Sequence, residues 1–351
     1  MSDVLSRLET IIEALFCTVF QETNKDRENC KIQYIVQDPE RCGTQMTFVI
    51  AKIHQAMLDG SHITKRSIYY GNPEIFKNQG VVDRILARLC TWLEVPRWIL
   101  RVKASGKLKL FGDLTWTREN GKGTCSAKDE ILSLPDGDMS ELGKKFTCEA
   151  RFVLVIEKDT IFQKLVNEEF YETYAPCLLM TAKGYPDLQT RCLLAELGKK
   201  FTEVPILGLF DADVHGLGVY CTYKYGTQNP TMRNSKLSPV KIEQLELLGV
   251  LPSELQSLQI RASELNQLTK ADRALLKGIF KRSYFKTDNE LAKQVSLFHI
   301  NWKYNKTIFM STNGWKAEIE VLESLRTGYL CQEYLVNKLK NKNIFPTAYL
   351  R

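Results

Sequence analysis

Two aspartates at the end of one apolar run constrain this chain more than any other feature. Residues 204–210 read VPILGLF, and Asp211 and Asp213 follow, separated by one residue. A continuous apolar run of this length is typical of a strand buried on both faces, as in a parallel sheet that lies between helices. Because ligands of such sheets bind just beyond the carboxyl ends of the strands, Asp211 and Asp213 stand where a hard cation would be held.

A second strand with an acid at its end strengthens this interpretation. Residues 152–156 read FVLVI, and Glu157 follows directly. Two such strand ends can converge on one Mg²⁺ ion, which accepts oxygen ligands and keeps several waters. Two structural alternatives stay open. Glu157 could cap a helix that begins near Asp159, and the Asp-x-Asp pair could be a solvated loop or a helix N-cap.

A third predicted strand ends in basic and turn-forming residues. Residues 178–181 read LLMT, and the stretch AKGYPDLQTR follows, in which Asp187 can cap the next helix. The N-terminus of that helix would accept a phosphate group, and Lys183 and Arg191 would add charge-assisted contacts. The alternative is an ordinary strand-to-helix turn.

The first hundred residues predict a helical module. Residues 1–22 place apolar side chains on one helical face, which either packs on its own domain or docks another subunit. Residues 44–103 then read as helix, turn, helix and helix, the order of a winged helix. Residues 98–102 and 109–111 would form the wing around the Gly106-Lys107 turn. Basic side chains there, including Lys107, would contact phosphates or simply form a solvated surface.

Two adjacent tyrosines, Tyr69 and Tyr70, lie inside this module. An exposed tyrosine beside a phosphodiester can attack phosphorus and form a phosphotyrosine ester. Because the phenol has a pKa of about 10, it needs a nearby cation or base to lose its proton. Arg66 precedes Tyr70 by four residues and could supply that charge.

Composition excludes few classes of protein. The formal charge of +7 hints at a polyanionic partner, and the hydrophobic content of 44% is that of an ordinary soluble protein. No apolar run reaches membrane-spanning length, so we expect no membrane partner. The ten cysteines form no CxxC pair, and we interpret them as reduced thiols of an intracellular protein.

Three blocks, in order along the chain, resemble the topoisomerase VI A-subunit family and specifically its eukaryotic branch of meiotic double-strand-break transesterases. They are KRSIYYGNPEIFKNQGVVDRIL, VLVIEKDTIFQKL and the stretch that runs from LLMTAKGYPDLQTR to VPILGLFDADVHGLGVYCTYKYGT. The resemblance covers nearly everything after about residue 44. It implies a mixed α/β fold, in which a winged-helix DNA-binding domain precedes a Toprim domain with a parallel sheet between helices.

The resemblance also implies domain limits. We predict an N-terminal helix and spacer over residues 1–43, the winged-helix domain over 44–145, and the Toprim domain with a C-terminal helical extension over 146–351.

The family pattern assigns roles to residues of this sequence. Tyr70 matches the nucleophile, Arg66 the basic residue before it, and Glu157, Asp211 and Asp213 the acids that bind Mg²⁺. The implied reaction is a type IIB topoisomerase-like transesterification, which makes meiotic double-strand breaks, initiates recombination and leaves a 5′-phosphotyrosyl link between protein and DNA.

The implied partners follow from this reaction. They are double-stranded DNA, a second copy of the chain on that DNA, accessory recombination proteins, and a topoisomerase VI B-like subunit that would bring ATP, since no Walker A pattern occurs here. The expected place is the nucleus, on meiotic chromosomes. We predict Lys107, Lys183 and Arg191 as DNA contacts. Two rival functions stay open: a metal-dependent Toprim nuclease that uses water, and a non-catalytic DNA-binding scaffold.

Overall fold

The computed structural model describes most of the chain in two compact units. The described residues are 2–20, 39–95, 97, 99–103, 107–117, 124–128, 130–132, 146–227, 240–255, 257–289, 291–294 and 315–344. One unit consists chiefly of Met1–Gly106, and the other is built mainly from residues after 106.

The first unit is helical. Its helices are α1 (Ser2–Phe20), α2 (Pro39–Leu58), α3 (Lys65–Gly71) and α4 (Gln79–Leu93), and its strands are β1 (Ile63–Thr64) and β2 (Val102–Lys103). Leu8 of α1 is fully buried in the same apolar cluster as Ile50 of α2 and Leu89 of α4. The apolar face of α1 therefore packs inside its own unit, which is the first of the two alternatives that the sequence left open.

The predicted wing is wrong in its strands. In the first unit, β2 pairs with β1 in parallel, with Val102 opposite Ile63, instead of forming a hairpin with residues 109–111. Those residues belong to a strand of the second unit, β3 (Lys109–Gly112), which pairs with residues 178–181. The predicted order of three helices is present, but the domain limit at residue 145 stays a prediction.

The second unit contains a five-stranded sheet. In chain order, the described strands and helices of the whole unit are β3, β4 (Leu114–Thr117), β5 (Thr124–Ser126), β6 (Phe146–Cys148), β7 (Val153–Ile156), α5 (Asp159–Asn167), α6 (Phe170–Tyr174), β8 (Leu178–Thr181), α7 (Leu188–Lys200), β9 (Ile206–Leu209), α8 (Val214–Tyr225), β10 (Leu245–Gly249), β11 (Asn266–Gln267), α9 (Lys270–Phe280), β12 (Trp315–Lys316) and α10 (Leu335–Asn341). The sheet order is β10-β9-β7-β8-β3, in which the first four strands are parallel and β3 is antiparallel at the edge.

Smaller elements complete this unit. β4 pairs antiparallel with β5 and β6, and β11 pairs antiparallel with β12. The short helical turns are Pro252–Glu254, Ala262–Glu264, Ser283–Lys286, Ile319–Ser324 and a π-helical turn, Leu330–Tyr334, that leads into α10.

Helices cover both faces of the sheet. Successive side chains of a strand point to opposite faces, so Val153 and Val155 of β7 pack in one cluster with α7 and α8. Leu154 and Ile156 pack in a second cluster with α5 and α10. Every residue of β7, β8 and β9 is buried as a result. The predicted mixed α/β fold, with a parallel sheet between helices, is confirmed.

None of the helices in the described part of the chain combines the length and the apolar character needed to cross a bilayer.

Candidate active site

The carboxyl ends of β7, β8 and β9 meet at one edge of the sheet. Ile156, the last residue of β7, lies opposite both Thr181 of β8 and Leu209 of β9. Glu157 therefore emerges beside the start of the Asp211–Asp213 loop. The backbone holds this edge together, because Gly184 donates its N–H to the Glu157 carbonyl at 2.8 Å.

Glu157 and Asp211 are buried, and each carboxylate accepts a hydrogen bond from a backbone N–H group. Glu157 Oε2 accepts the backbone N–H of Asp211 at 2.9 Å. Asp211 Oδ1 accepts the backbone N–H of Ile319 at 2.9 Å. Glu157 is 8% exposed and Asp211 is 7% exposed, so both carboxylates are largely withdrawn from water. Glu157 does not cap helix α5, since Lys158 is the N-cap residue there.

Asp213 caps the helix that follows it. Its Oδ1 accepts the backbone N–H of Gly216 at 2.6 Å, and it is the N-cap residue of α8. The helix-cap alternative for the Asp-x-Asp pair is therefore true of Asp213. Capping does not exclude a role as a metal ligand. The bonds use Glu157 Oε2 and Asp213 Oδ1, and the second oxygen of each acid has no hydrogen bond among the described residues.

Burial, with a smaller contribution from the neighbouring carboxylates, raises the pKa values of Glu157 and Asp211. Burial, followed by the negative charge of Asp211, raises the pKa of Glu157 to about 8. Burial raises the pKa of Asp211 to about 6, against the lowering effect of the Ile319 N–H and of the Lys158 ammonium group. A buried carboxylate near other carboxylates resists ionisation unless a cation compensates its charge. The cluster therefore favours a bound cation at neutral pH.

A lysine supplies that compensation in the present structure. Lys158 Nζ lies 3.2 Å from Asp211 Oδ2 and 2.7 Å from both Glu318 Oε2 and Glu320 Oε2. In the ranges described here, no group of three or more His, Cys, Asp or Glu side chains is spaced to hold one metal ion. The three predicted acids therefore lie at the same strand ends, but they are not arranged around one ion, and internal partners hold their side chains.

The turn after β8 has the predicted form. Lys183 and Gly184 both have positive φ, at 55° and 94°, which glycine adopts readily. Asp187 caps α7 by accepting the N–H of Thr190 at 2.8 Å. The Lys183 side chain is exposed and its Nζ lies 3.7 Å from Asp159 Oδ2. Lys183 is therefore available to a ligand at this edge.

Arg191 does not lie where we predicted. Its side chain is buried, at 4% exposure, and Nη1 donates to the carbonyl of Val240 at 3.4 Å. Burial also lowers the pKa of its guanidinium group. The arginine faces the interior because it sits one turn after the N-cap on the inward side of α7, beside the buried Thr190. This burial contradicts a DNA contact at the protein surface. Lys107, in contrast, is exposed.

In the first unit, Tyr70 projects into solvent from α3. It is 70% exposed, whereas Tyr69 is half-buried and Ile68 is buried. The Tyr69 and Tyr70 rings contact edge to face, with centroids 5.2 Å apart. Arg66 is exposed on the same helix, and residues four apart lie on one helical face. The structure thus places Arg66 and Tyr70 together on an accessible surface.

Local contacts fix the short helix α3. Thr64 and Ser67 form a capping box, with bonds of 2.9 Å in both directions. Lys65 Nζ lies 2.5 Å from Asp83 Oδ1 of α4, which ties the two helices together. Because Ile68 is anchored in the core, the rigid backbone points Tyr70 outward. The position of the exposed phenol is thus set by the contacts that fix helix α3, and not by contacts of the phenol with the core.

Sequence reasoning missed Lys158, Glu318 and Glu320. The lysine directly follows Glu157, so its position near the acids could have been predicted from the strand end. The two glutamates are 160 and 162 residues away, and the pattern AEIE around them gives no sign of their partner. The segment that carries them reaches the site because Ala317 donates its N–H to the Ala212 carbonyl at 3.1 Å.

Comparison with known proteins matches both units. Residues 43–102 match the family model of the type IIB DNA topoisomerases, and residues 152–339 match the model of the Toprim domain shared by Spo11 and the topoisomerase 6 A-subunits. The meiotic recombination protein SPO11 of Homo sapiens is 31% identical over 316 residues, which cover 89% of this chain and 75% of the relative.

Two further relatives carry related descriptions. The meiotic recombination protein SPO11 of Mus musculus is 34% identical over 295 residues, covering 83% of this chain and 69% of the relative. The meiotic recombination protein rec12 of Schizosaccharomyces pombe is 35% identical over 211 residues, covering 60% and 57%. The first matched region contains Tyr70 and the second contains the three acids. On these matches, the chain belongs to the family formed by Spo11 and the topoisomerase 6 A-subunits.

Proposed function

We propose that this chain is a DNA-cleaving transesterase that makes double-strand breaks and thereby initiates meiotic recombination. One observation supports this above all. A single chain combines an exposed tyrosine in its type IIB topoisomerase region with three clustered acids in its Toprim region. A water-using nuclease has no need of an exposed tyrosine beside an arginine, and a non-catalytic scaffold has no need of buried, mutually repelling carboxylates.

The proposed reaction exchanges one phosphodiester for another. The Tyr70 oxygen attacks a backbone phosphorus, a bond from that oxygen to phosphorus forms, and the bond from phosphorus to the 3′ oxygen breaks. The phenolic proton is lost and the 3′ oxygen leaves as a hydroxyl. The protein stays attached to the 5′ phosphate, so no water is consumed. Arg66 would stabilise the negative charge that develops on the tyrosine and on the phosphoryl oxygens.

Toprim domains generally bind a divalent cation, although the acids in the described part of this structure are not spaced around one ion. We propose Mg²⁺, with Glu157, Asp211 and Asp213 as its ligands, because their hard oxygen donors are few enough to leave room for water and phosphate. When bound, the ion would stabilise charge on the phosphoryl group and on the leaving oxygen. Lys183, exposed at the same edge, would contact the DNA backbone, and we propose the same for Lys107.

Cation binding by the acids is expected to strengthen as the pH rises from about 6 to about 8. The pKa values of Asp211 and Glu157 are raised to about 6 and about 8, so both acids must release protons before they can act as ligands in this range. For the same reason the cation-free protein should lose stability as the pH rises from about 4.5 to about 8, since the folded state binds the extra proton.

Titration calorimetry with Mg²⁺ at pH 6, 7 and 8 measures this dependence. Repeating each titration in buffers of different ionisation enthalpy counts the protons released. A dissociation constant that stays the same over the three pH values would contradict the assignment of these acids as ligands.

Membership of the family implies DNA binding and a B-type partner subunit. We propose further that two copies of this chain act on one duplex, because each chain supplies one candidate nucleophile and a duplex has two strands. ATP would enter through the B-type partner. The place of action is the nucleus, on meiotic chromosomes, together with accessory recombination proteins.

Mixed dimers test whether each active site is shared between two copies. Chains with Tyr70→Phe are mixed with chains that carry Glu157→Gln. If the tyrosine of one copy works with the acids of the other, each mixed dimer has one site with both defects and one intact site. We then expect nicks in one strand, scored on a labelled duplex. If each site belongs to one chain, both sites are defective and no cleavage occurs.

The reaction itself is tested on protein from meiotic cells. The chain is purified under denaturing conditions, the DNA is trimmed with nuclease, and the attached oligonucleotides are labelled at their free 3′ ends. We expect short DNA fragments joined to a peptide that contains Tyr70 through their 5′ phosphates. Cleaved chromosomes whose ends carry free 5′ phosphates, with no attached protein, would instead identify a nuclease.

A further inference from the structure

The ammonium group of Lys158 lies where the acid cluster needs a cation. Nζ contacts three carboxylates at once: Asp211 at 3.2 Å, and Glu318 and Glu320 at 2.7 Å each. Of these, Asp211 is buried, while Glu318 and Glu320 are more exposed. One positive charge is therefore shared between a proposed metal ligand and two acids that lie outside the proposed ligand set.

The segment with the two glutamates is fixed in place. Lys316 Nζ binds Asp272 Oδ2 at 2.8 Å, and Ala317 bonds through its backbone to Ala212. Ile319, between the glutamates, donates its N–H to Asp211 Oδ1 at 2.9 Å. The backbone that carries the glutamates is thus positioned by bonds other than their contacts with Lys158, and it would keep its place if the lysine moved.

We propose that Lys158 is a built-in counter-ion of the acid cluster, which a divalent cation displaces from Asp211, and that Glu318 and Glu320 retain the displaced ammonium group. This inference rests on the proposed metal role of the acids and adds to it a competing side chain that regulates how fully the cation site is occupied. An ammonium group and a divalent cation repel each other at close range, so both cannot bind Asp211 closely. Two of the three contacts of Nζ survive the displacement, which keeps its cost low.

The acid edge stays folded with and without a bound cation. Without a cation, the lysine neutralises Asp211, while the backbone bonds of Ala317 and Ile319 hold the segment 315–320 against the acid loop. With a cation, the lysine remains bound to the two glutamates at the rim. Because the lysine competes for Asp211, the protein binds the cation more weakly than three bare carboxylates would.

Replacing Lys158 with methionine tests the proposal. Methionine keeps much of the side-chain volume and removes the charge. Binding of Mn²⁺ to the full chain, without DNA, is followed by counting free Mn²⁺ with electron paramagnetic resonance. We expect Lys158→Met to bind Mn²⁺ more tightly than the wild type, on the order of tenfold. Lys164→Met is the matched control, since Lys164 lies on the adjacent helix and pairs with Glu168 and Glu323 instead.

Thermal stability supplies a second readout. Without added cation, Lys158→Met should melt below the wild type, because Asp211 has lost its counter-ion. At saturating Mg²⁺ this deficit should shrink or reverse, because a ligand that binds more tightly stabilises the folded state more. The double variant Glu318→Gln/Glu320→Gln should weaken Mn²⁺ binding more when Lys158 is present than when it is replaced by methionine. Part of the effect of the two glutamates is to retain the displaced lysine, and that part is absent in Lys158→Met.

The outcomes separate this inference from the proposed function. Equal Mn²⁺ affinities of the wild type and Lys158→Met would overturn the counter-ion role and leave the metal site standing. Absence of Mn²⁺ binding by wild type, Lys158→Met and Lys164→Met alike would overturn both. An increase in affinity for Lys158→Met that Lys164→Met matches would also overturn the inference, because it would reflect only the general loss of positive charge.

Discussion

Tyr70→Phe is expected to lower the yield of covalent protein–DNA adducts by at least about three orders of magnitude, because it removes the only atom that the proposed reaction joins to phosphorus. The change deletes one oxygen and keeps the ring. Since Tyr70 is 70% exposed, the loss of its hydroxyl costs the fold little, and its edge-to-face contact with Tyr69 persists. DNA binding should therefore be retained while adduct formation is lost.

The neighbouring tyrosine is the matched control. Tyr69→Phe makes the same chemical change one residue earlier, on a half-buried ring that also packs near Phe76. Both variants are incubated with duplex DNA, Mg²⁺ and the B-type partner, denatured, and scored for labelled DNA that migrates with the protein. We expect adducts from Tyr69→Phe and none from Tyr70→Phe. Adducts from Tyr70→Phe at the wild-type level would show that another residue is the nucleophile.

The buried strands could be predicted because their signal is local. VPILGLF and FVLVI are continuous apolar runs, and helices cover both faces of the sheet, so every position in β7 and β9 is buried. The acids at their ends follow from the same signal, since parallel strands bring their carboxyl ends to one edge. The site's position in the sheet was therefore accessible from two short stretches of sequence.

A strand at residues 109–111 was predicted, but its pairing could not be, because its partner is distant in sequence. A wing would pair this strand with residues about ten positions earlier, whereas it pairs with Leu178–Thr181 at the edge of the main sheet. Its alternating burial suits either place, so the local pattern does not choose between them. The choice is made by the open edge of β8, which appears only once the sheet is assembled.

Arg191 shows a similar limit at the scale of one side chain. A basic residue in the first turn after a capped helix start is a reasonable phosphate ligand. Helix α7, however, buries Thr190, Arg191, Leu193 and Leu194. The inward face is wide enough to include the arginine. The sequence alone does not reveal this, because a charged residue on the buried side breaks the amphipathic pattern from which a face is read.

Gly216→Ala is expected to lower the melting temperature and to weaken cation binding, although it removes no ligand. A methyl group on Gly216 would overlap the carbonyl oxygen of Asp211 and lie 2.9 Å from its backbone nitrogen. Alanine would gain about 1 kcal/mol in helix propensity. The overlap costs more, toward the upper end of about 1–3 kcal/mol, because backbone atoms cannot rotate out of the way as a side chain can. The net effect is destabilisation.

The same displacement should reach the acids. If the Asp211 backbone moves, its N–H leaves Glu157 Oε2 and its carboxylate leaves the N–H of Ile319, both now at 2.9 Å. We therefore expect the affinity for Mn²⁺ to fall by at least about tenfold, which corresponds to about 1.4 kcal/mol of binding free energy. Gly278→Ala is the control, since that glycine also lies in a helix and has open space where a methyl group would go. It should melt at or above the wild-type temperature and bind Mn²⁺ normally. A Gly216→Ala protein that matches this control in both measurements would contradict the packing of α8 against the acid loop.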